Sequence, residues 1–389
     1  MTIGFFTDGY LPQLNGVATS VEGWVKGLEK LGHEVYIIAP KYQNFKDKSD
    51  RVIRLPSLKV LNKPDIRLGF PLSIDSISKI YKLKLDIIHA TSGGNISTLG
   101  LIVARAKKIP YVFTYYTRWN HFTHYFLKGK IVNSKIVERV SRMFCNRCDC
   151  VIAPAPKIKD ELISFGVKKP IVVIPSGVDI DKFRKQQKGY LRKKLSIENG
   201  KILLYVGRLE KEKSVDFLIK AFKLTHDKDP QANLVLVGDG KMKKSLEQEA
   251  QALGIRENVY FTGLISYREM NKVYADAEIF VFASTTETQG MVILEALASG
   301  LPVVAINDSV YDGIVKDKVN GILVDNTVEE FAQACLEIIS NPSYRKKLSD
   351  SAVETMQEFS LSQTVQSFEK LYEKLIAQHN KGDFYGKRV

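Results

Sequence analysis

One pattern constrains this chain more than any other: an alternation of short apolar runs and helical stretches that proceeds, breaks and starts again. Apolar runs occur at Ile3–Thr7, Val35–Ala39, Ile87–Ala90, Tyr111–Thr114, Cys150–Ala153 and Ile171–Ile174. Among the stretches between them, Val17–Leu31, Ser97–Lys107 and Ile131–Cys148 carry apolar residues at helical spacing. A continuously apolar strand is buried on both faces, as in a parallel sheet covered by helices. The turn-rich segment Pro175-Ser176-Gly177-Val178-Asp179 interrupts the series. It resumes at Ile202–Val206, Asn233–Val237, Val259–Thr262, Ile279–Phe282, Pro302–Ala305 and Ile322–Val324, and ends in amphipathic helices over Pro342–Gln357 and Leu361–Ala377. The expected fold class is therefore α/β, with two doubly wound, Rossmann-like domains over residues 1–176 and 177–360. Segment 361–389 is expected to pack back toward the first domain. In such sheets ligands bind beyond the carboxyl ends of the strands, and two facing sheets make a central cleft.

The length of 389 residues accommodates two or three domains. At 44% hydrophobic and 26% charged, the composition excludes a disordered or low-complexity chain. No apolar stretch reaches the ~18–20 residues of a membrane-spanning helix. Met1–Asp8 has neither a basic leader nor a long apolar core, so no secretory signal is read there. Cys145, Cys148 and Cys150 form C-x-x-C-x-C, but no second pair completes a zinc site, and Cys335 stands alone. Buried free thiols and a cytoplasmic location are expected.

The formal net charge is +14 and is unevenly placed. Residues 1–180 hold 27 Lys and Arg against 14 Asp and Glu, a balance of +13; residues 181–389 are at +1. Such asymmetry points the first half toward an anionic partner, such as nucleic acid, a lipid headgroup surface or a phosphorylated substrate; the bland alternative is solubility.

The segment richest in chemistry is Glu287-Thr288-Gln289-Gly290-Met291-Val292-Ile293-Leu294-Glu295. Gly290 precedes a helical run, placing Glu287 in the entry loop and Glu295 inside the helix. The amides of Gly290, Met291 and Val292 then form a helix end suited to anions and sugar oxygens. A paired-carboxylate hydrolase and two solvated glutamates are both compatible with this spacing alone. Context adds Val206-Gly207-Arg208-Leu209-Glu210-Lys211-Glu212-Lys213, then Leu236-Val237-Gly238-Asp239-Gly240, then Val259-Tyr260-Phe261-Thr262-Gly263, and after the glutamates Ala298-Ser299-Gly300-Leu301-Pro302.

This ordered set resembles the family 4 retaining glycosyltransferases of the GT-B fold, over essentially the whole chain. The resemblance implies a nucleotide-sugar donor held mainly by the C-terminal domain, with no bound cofactor and no required metal. Arg208 and Lys213 match the basic pair that clamps the diphosphate; two cations neutralise charge on a leaving pyrophosphate. Glu287 matches the carboxylate beside the donor hexose, and Glu295 the one that meets the ribose. Gly290, Met291 and Val292 would offer amides. Gly16, after Asp8–Asn15, would open a helix close to the diphosphate, where a side chain would block approach. Asp179-Ile180-Asp181 has the spelling of a metal-holding string but sits at the linker, and is read as coincidence.

One departure stands out. The family commonly places a histidine where this chain has Tyr116, in Tyr111-Val112-Phe113-Thr114-Tyr115-Tyr116-Thr117. A phenol with a pKa near ~10 is a poor proton acceptor at neutral pH. Tyr116 is therefore expected to limit turnover.

Within the family the chain looks most like the diacylglycerol glucosyltransferases, on Tyr10–Thr19, Thr117–Tyr125 and Cys145–Asp149. That likeness implies UDP-glucose as donor, 1,2-diacylglycerol as acceptor and peripheral attachment at the inner face of the cell membrane. Arg118, Trp119, Phe122, Tyr125, Phe126, Lys128 and Lys130 interleave aromatics with cations, as an interfacial segment does. The same mixture suits single-stranded nucleic acid, but no recognisable nucleic-acid module accompanies it. Other readings are a phosphatidylinositol mannosyltransferase using GDP-mannose, a transferase with a soluble acceptor, a sugar-nucleotide epimerase, and a catalytically weak lipid- or nucleotide-binding protein.

Overall fold

The computed structural model describes residues 1–13, 16–60, 63–116, 134–184 and 187–381. The chain forms two compact units, Met1–Ser176 with Leu361–Val389, and Gly177–Ser360.

The first unit runs β1 (Thr2–Phe6), α1 (Gly16–Lys30), β2 (Glu34–Pro40), β3 (Val52–Leu55), β4 (Ser57–Val60), β5 (Lys63–Gly69), α2 (Ile74–Lys82), β6 (Ile87–Ala90), α3 (Asn95–Lys107), β7 (Tyr111–Thr114), α4 (Ser134–Cys145), β8 (Cys150–Ala153), α5 (Pro156–Ser164) and β9 (Ile171–Val173). Its seven-stranded sheet has the order β3-β2-β1-β6-β7-β8-β9. Every neighbouring pair is parallel. Strands β6, β7 and β8 are buried along their whole length, as their uninterrupted apolar sequences require. Strands β4 and β5 form a separate antiparallel pair.

The second unit runs α6 (Ile180–Arg184), α7 (Tyr190–Leu195), β10 (Lys201–Val206), α8 (Val215–Lys228), β11 (Ala232–Val237), α9 (Lys243–Ala252), β12 (Val259–Gly263), α10 (Met270–Ala275), β13 (Ile279–Phe282), α11 (Met291–Ala298), β14 (Val303–Ile306), β15 (Gly321–Val324), α12 (Val328–Ser340) and α13 (Pro342–Thr355). Its six strands lie in the order β12-β11-β10-β13-β14-β15, again all parallel. In both sheets the order reverses beside the first strand, at β1/β6 and at β10/β13. In sheets of this kind a reversal of order is where a crevice forms at the carboxyl ends, because successive connections leave in opposite directions.

At Leu361 the chain rejoins the first unit as α14 (Leu361–Asn380). Val365, Phe368, Tyr372 and Leu375 of α14 are buried in the core with Trp24 and Leu28 of α1. Two glycines one helical turn apart permit this approach. A Cβ on Gly27 would sit 2.6 Å from Val365 Cγ2, and one on Gly23 would sit 3.3 Å from Leu361 Cδ2. Phe368 meets the Trp24 ring edge-on, with centroids 4.9 Å apart, a favoured aromatic geometry.

The four cysteines are free and buried. Burial pushes the thiols up, to about 12 for Cys145 and about 11 for Cys150, so they stay protonated. Among the described residues no helix is long and apolar enough to cross a membrane.

Candidate functional site

The glycine motifs of the second unit build a backbone platform at its switch point. Gly207 N–H donates to Val237 O at 2.9 Å, and Leu209 N–H to Asp239 O at 3.0 Å. The turns after β10 and β11 thus lie against each other. Gly238 has φ of +141°, and a Cβ there would come within 1.8 Å of Gly207 O. A Cβ on Gly240 would come within 2.2 Å of Leu209 O. Only glycine fits at these close backbone approaches.

Arg208 leaves this platform directly after β10. The Tyr205 hydroxyl donates to Arg208 O at 2.9 Å, and the Arg208 guanidinium pairs with Glu212 Oε1 at 2.9 Å. Lys213 closes the short turn Lys211–Lys213, and its ammonium is hydrogen-bonded to Glu287 Oε1. The hydroxyls of Ser284 and Thr286 donate to Glu212 O, tying the turn after β10 to the loop after β13. Tyr311 Oη fixes that loop from below, donating to Ser284 O at 2.6 Å. Arg208, Lys213 and Glu287 are thereby gathered at the β10/β13 switch point. Burial opposes ionisation of Glu287, but Lys213, Ser284 and Arg208 outweigh it and hold the carboxyl below the usual range. Glu287 is therefore an anion at neutral pH, able to accept hydrogen bonds from hydroxyls.

Gly290 ends the loop at φ of +81°, a left-handed conformation that suits glycine, and α11 begins at Met291. The amides of Met291 and Val292 belong to the first helical turn, which lacks intrahelical acceptors. Glu295 lies one turn further in and is 5% exposed. Its Oε2 accepts from Tyr274 Oη at 2.8 Å. Burial pushes the Glu295 carboxyl up to about 7; the Tyr274 hydrogen bond, the Lys182 charge and a Tyr267 hydrogen bond pull the other way. Lys182 lies 3.2 Å over the Tyr267 ring and donates to Tyr267 O at 2.9 Å. Lys182, Tyr267 and Tyr274 were not singled out by the sequence, where each reads as an ordinary amphipathic position.

In the first unit, Gly16 opens α1 and is exposed. Tyr116 Oη lies 2.9 Å from Ser176 Oγ, and its ring stacks on Trp24 at 5.6 Å. Burial raises the phenol further, against the Ser176 hydrogen bond and the influence of the nearby Ser20 hydroxyl. It is a fixed neutral group. On the other side Trp24 stacks on His89, at 5.8 Å and 11°. His89 is fully buried, with Nδ1 2.6 Å from Tyr372 Oη and Nε2 2.6 Å from Thr114 Oγ1. Burial lowers its pKa to about 3, so it is neutral and structural. One polar residue inside the apolar run Ile87–Ala90 was the sequence signal for it.

The switch point of the first unit is occupied by its own carboxylate. Asp8 accepts from the amides of Gly94 at 3.1 Å and Ile96 at 3.0 Å, and from Ser97 Oγ at 3.1 Å. It caps α3 from a distant position in sequence. A Cβ on Gly94 would lie 2.6 Å from Asp8 Cγ, which accounts for glycine there. Arg118, Trp119, Phe122, Tyr125, Phe126, Lys128 and Lys130 lie outside the described residues.

Two family models match the chain, "Glycosyltransferase Family 4" over residues 14–182 and "Glycosyl transferases group 1" over residues 187–355. An alpha-monoglucosyldiacylglycerol synthase of Acholeplasma laidlawii is 34% identical, over 98% of this chain and 99% of that protein. The chain belongs to glycosyltransferase family 4. A Streptococcus pneumoniae protein of the same name is 36% identical, over all of this chain and 84% of its own. Among solved structures, Anabaena HepE in complex with UDP and glucose superposes with a TM-score of 0.78 at 21% identity, covering 96% of this chain and 100% of that one. The chain is thus a glycosyltransferase with the GT-B fold.

Proposed function

We propose that this enzyme transfers glucose from UDP-glucose to 1,2-diacylglycerol, with retention of configuration, as a peripheral protein of the inner face of the cell membrane. The observation that carries the reading is the cluster of Arg208, Lys213 and Glu287 at the switch point of the second unit. Two cations and the opening amides of α11 suit a diphosphate, and an ionised carboxylate beside them suits hexose hydroxyls. The glucose and diacylglycerol assignments are supported by the names of the two relatives similar along the whole chain.

In this reading Arg208 and Lys213 stabilise the charge that builds on the departing diphosphate. Glu287 orients the hexose, and Glu295 receives the ribose hydroxyls. The amides of Gly290, Met291 and Val292 meet sugar or phosphate oxygens. Gly16 keeps the start of α1 clear for the diphosphate. The bond from the anomeric carbon to the diphosphate breaks as the acceptor oxygen bonds on the same face, and a diphosphate oxygen takes the acceptor proton. Tyr116 stands where a histidine is usual and cannot share that proton at neutral pH. No metal is assigned a role, since side-chain cations and a helix end supply the counter-charge. Arg118, Trp119, Phe122, Tyr125, Phe126, Lys128 and Lys130 are assigned to the acceptor and the anionic membrane surface.

Calorimetric titration with UDP and with GDP tests the donor assignment. Tighter binding of UDP is expected; a preference for GDP would replace this reading with a mannosyltransferase.

A further inference from the structure

Glu295 is hydrogen-bonded by a buried phenol that no sequence motif marks. Tyr274, on α10, is 1% exposed, and its Oη donates to Glu295 Oε2 at 2.8 Å. The same hydroxyl lies 3.4 Å from Val292 O, in the first turn of α11. Two rings fix the Tyr274 ring in place. Phe183 of α6 meets it near edge-on, at 5.7 Å and 73°, and Phe280 of β13 lies at 5.9 Å and 53°. Helix α6 packs on both α10 and α11. Its Lys182 acts on Glu295 through its charge, while the ammonium itself donates to Tyr267 O.

A core tyrosine needs one acceptor for its hydroxyl, and a backbone carbonyl would serve. Here the acceptor is a carboxyl group, which is costly to bury as an anion. Burial pushes the Tyr274 phenol well above its usual range, so it keeps its proton and acts as a donor. An ionised carboxylate offers about four acceptor positions, and Tyr274 takes one of them. The paired hydroxyls of a ribose are donors and suit the positions that remain. Without the phenol, burial would push a proton onto Glu295, and its carboxyl would be free to turn.

We propose that Tyr274 is a positioning residue for donor binding: its hydroxyl, set by Phe183 and Phe280, holds one oxygen of Glu295, and the acceptor positions left on that carboxylate take the ribose hydroxyls. The proposal rests on the placement of the ribose against Glu295 in the glucosyl-transfer reading. It deepens that placement by naming the side chain on which the carboxylate depends. Tyr274 touches no substrate itself, and its effect reaches the nucleotide through Glu295 alone.

The test is a cycle that removes the phenol, the carboxylate and the ribose hydroxyls in turn. Wild type, Tyr274→Phe, Glu295→Gln and the double variant are titrated by calorimetry with UDP and with 2′,3′-dideoxy-UDP. The titrations are run at pH 8.5, where the Glu295 carboxyl is ionised. Should GDP bind more tightly than UDP, the same cycle is run with GDP and its dideoxy form, since the base does not enter it. Thermal unfolding confirms that each variant is folded; Tyr274→Met serves if Tyr274→Phe is not. Glu295→Gln should erase most of the preference for the ribose nucleotide. Tyr274→Phe should weaken UDP about 10-fold and the dideoxy form less than ~2-fold, and should add nothing to Glu295→Gln. A structural role alone would weaken both nucleotides equally. That result, or no loss for UDP, or a further loss in the double variant would overturn the positioning role while leaving the ribose on Glu295. A Glu295→Gln variant with the wild-type preference would instead remove the ribose from Glu295, and the positioning role would fall with that placement.

Discussion

The two sheets follow one plan and differ in what stands where the strand order reverses. At β10/β13 the backbone turns carry Arg208 and Lys213, with Glu287 opposite. At β1/β6 the corresponding place is filled by Asp8, whose carboxylate already takes the amide donors at the start of α3. The first arrangement presents cations, and the second presents a carboxyl group whose oxygens already accept from two amides and a hydroxyl while burial raises its pKa. The proposed reading accordingly assigns the diphosphate to the switch point of the second unit, although residues 1–180 hold nearly all the excess positive charge. In the second unit each site cation is balanced by a neighbouring carboxylate, which fixes its position.

The largest effect should come from the cluster itself. Lys213→Ala should lower kcat by about 10²–10³, the scale of losing one preorganised electrostatic contact to a developing anion. Steady-state kinetics checks it, and a change in KM alone would mean that Lys213 only binds the ground state. Glu295 should next reveal itself through pH. Its pKa rises on folding from 4.5 to about 7, so between those values the unfolded chain has lost a proton that the folded chain keeps. Stability accordingly falls as pH rises through that window and stays low above it, by at most about 1.4 kcal/mol per pH unit. Glu295→Gln should therefore raise Tm at pH 8 while leaving it nearly unchanged at pH 4.5; denaturation at both values decides. Glu287 has the opposite sign. Its pKa is depressed, so its contribution is present at neutral pH and is lost as pH falls below the usual carboxylate range.

Asp8→Ala should cost about 2 kcal/mol of stability, since it uncaps α3 and orphans buried donors, while leaving UDP affinity alone. Equal damage to UDP binding would erase the contrast between the two switch points. The smallest effect belongs to Tyr116→His, which should raise kcat roughly 10-fold by replacing a neutral phenol with an imidazole nitrogen that can accept a proton. No gain, or a loss, would show that the ring's stack on Trp24 and its bond to Ser176 matter more than its acidity.

Much of the fold was legible because buried parallel strands have no polar face to dilute them. Ile87–Ala90, Tyr111–Thr114, Cys150–Ala153 and Ile279–Phe282 have the same limits in the structure as in the apolar pattern. The hairpin β4–β5 and helix α2 were invisible for the converse reason. Of α2 only Ile80 is buried, and β5, Lys63–Gly69, contains a proline and three charges, so neither shows a core-facing period. Glycines made the backbone platform of the second unit readable: Gly238, Gly240 and Gly290 stand where a side chain would collide or strain the backbone. The partners of the cations were harder to see. Glu212 reads as half of a solvated i,i+4 pair until its backbone carbonyl is found anchoring the loop after β13. His89 and Asp8 depend on residues more than eighty positions away, which no local pattern encodes.

The central claim is glucosyl transfer to a lipid. It is tested most directly by incubating the enzyme with radiolabelled UDP-glucose and mixed micelles of diacylglycerol and an anionic lipid, then extracting with organic solvent. The account predicts label in the organic phase as a monoglucosyl lipid that forms only when diacylglycerol is present. Label that stays in the aqueous phase with every lipid acceptor, while UDP still binds, would contradict it.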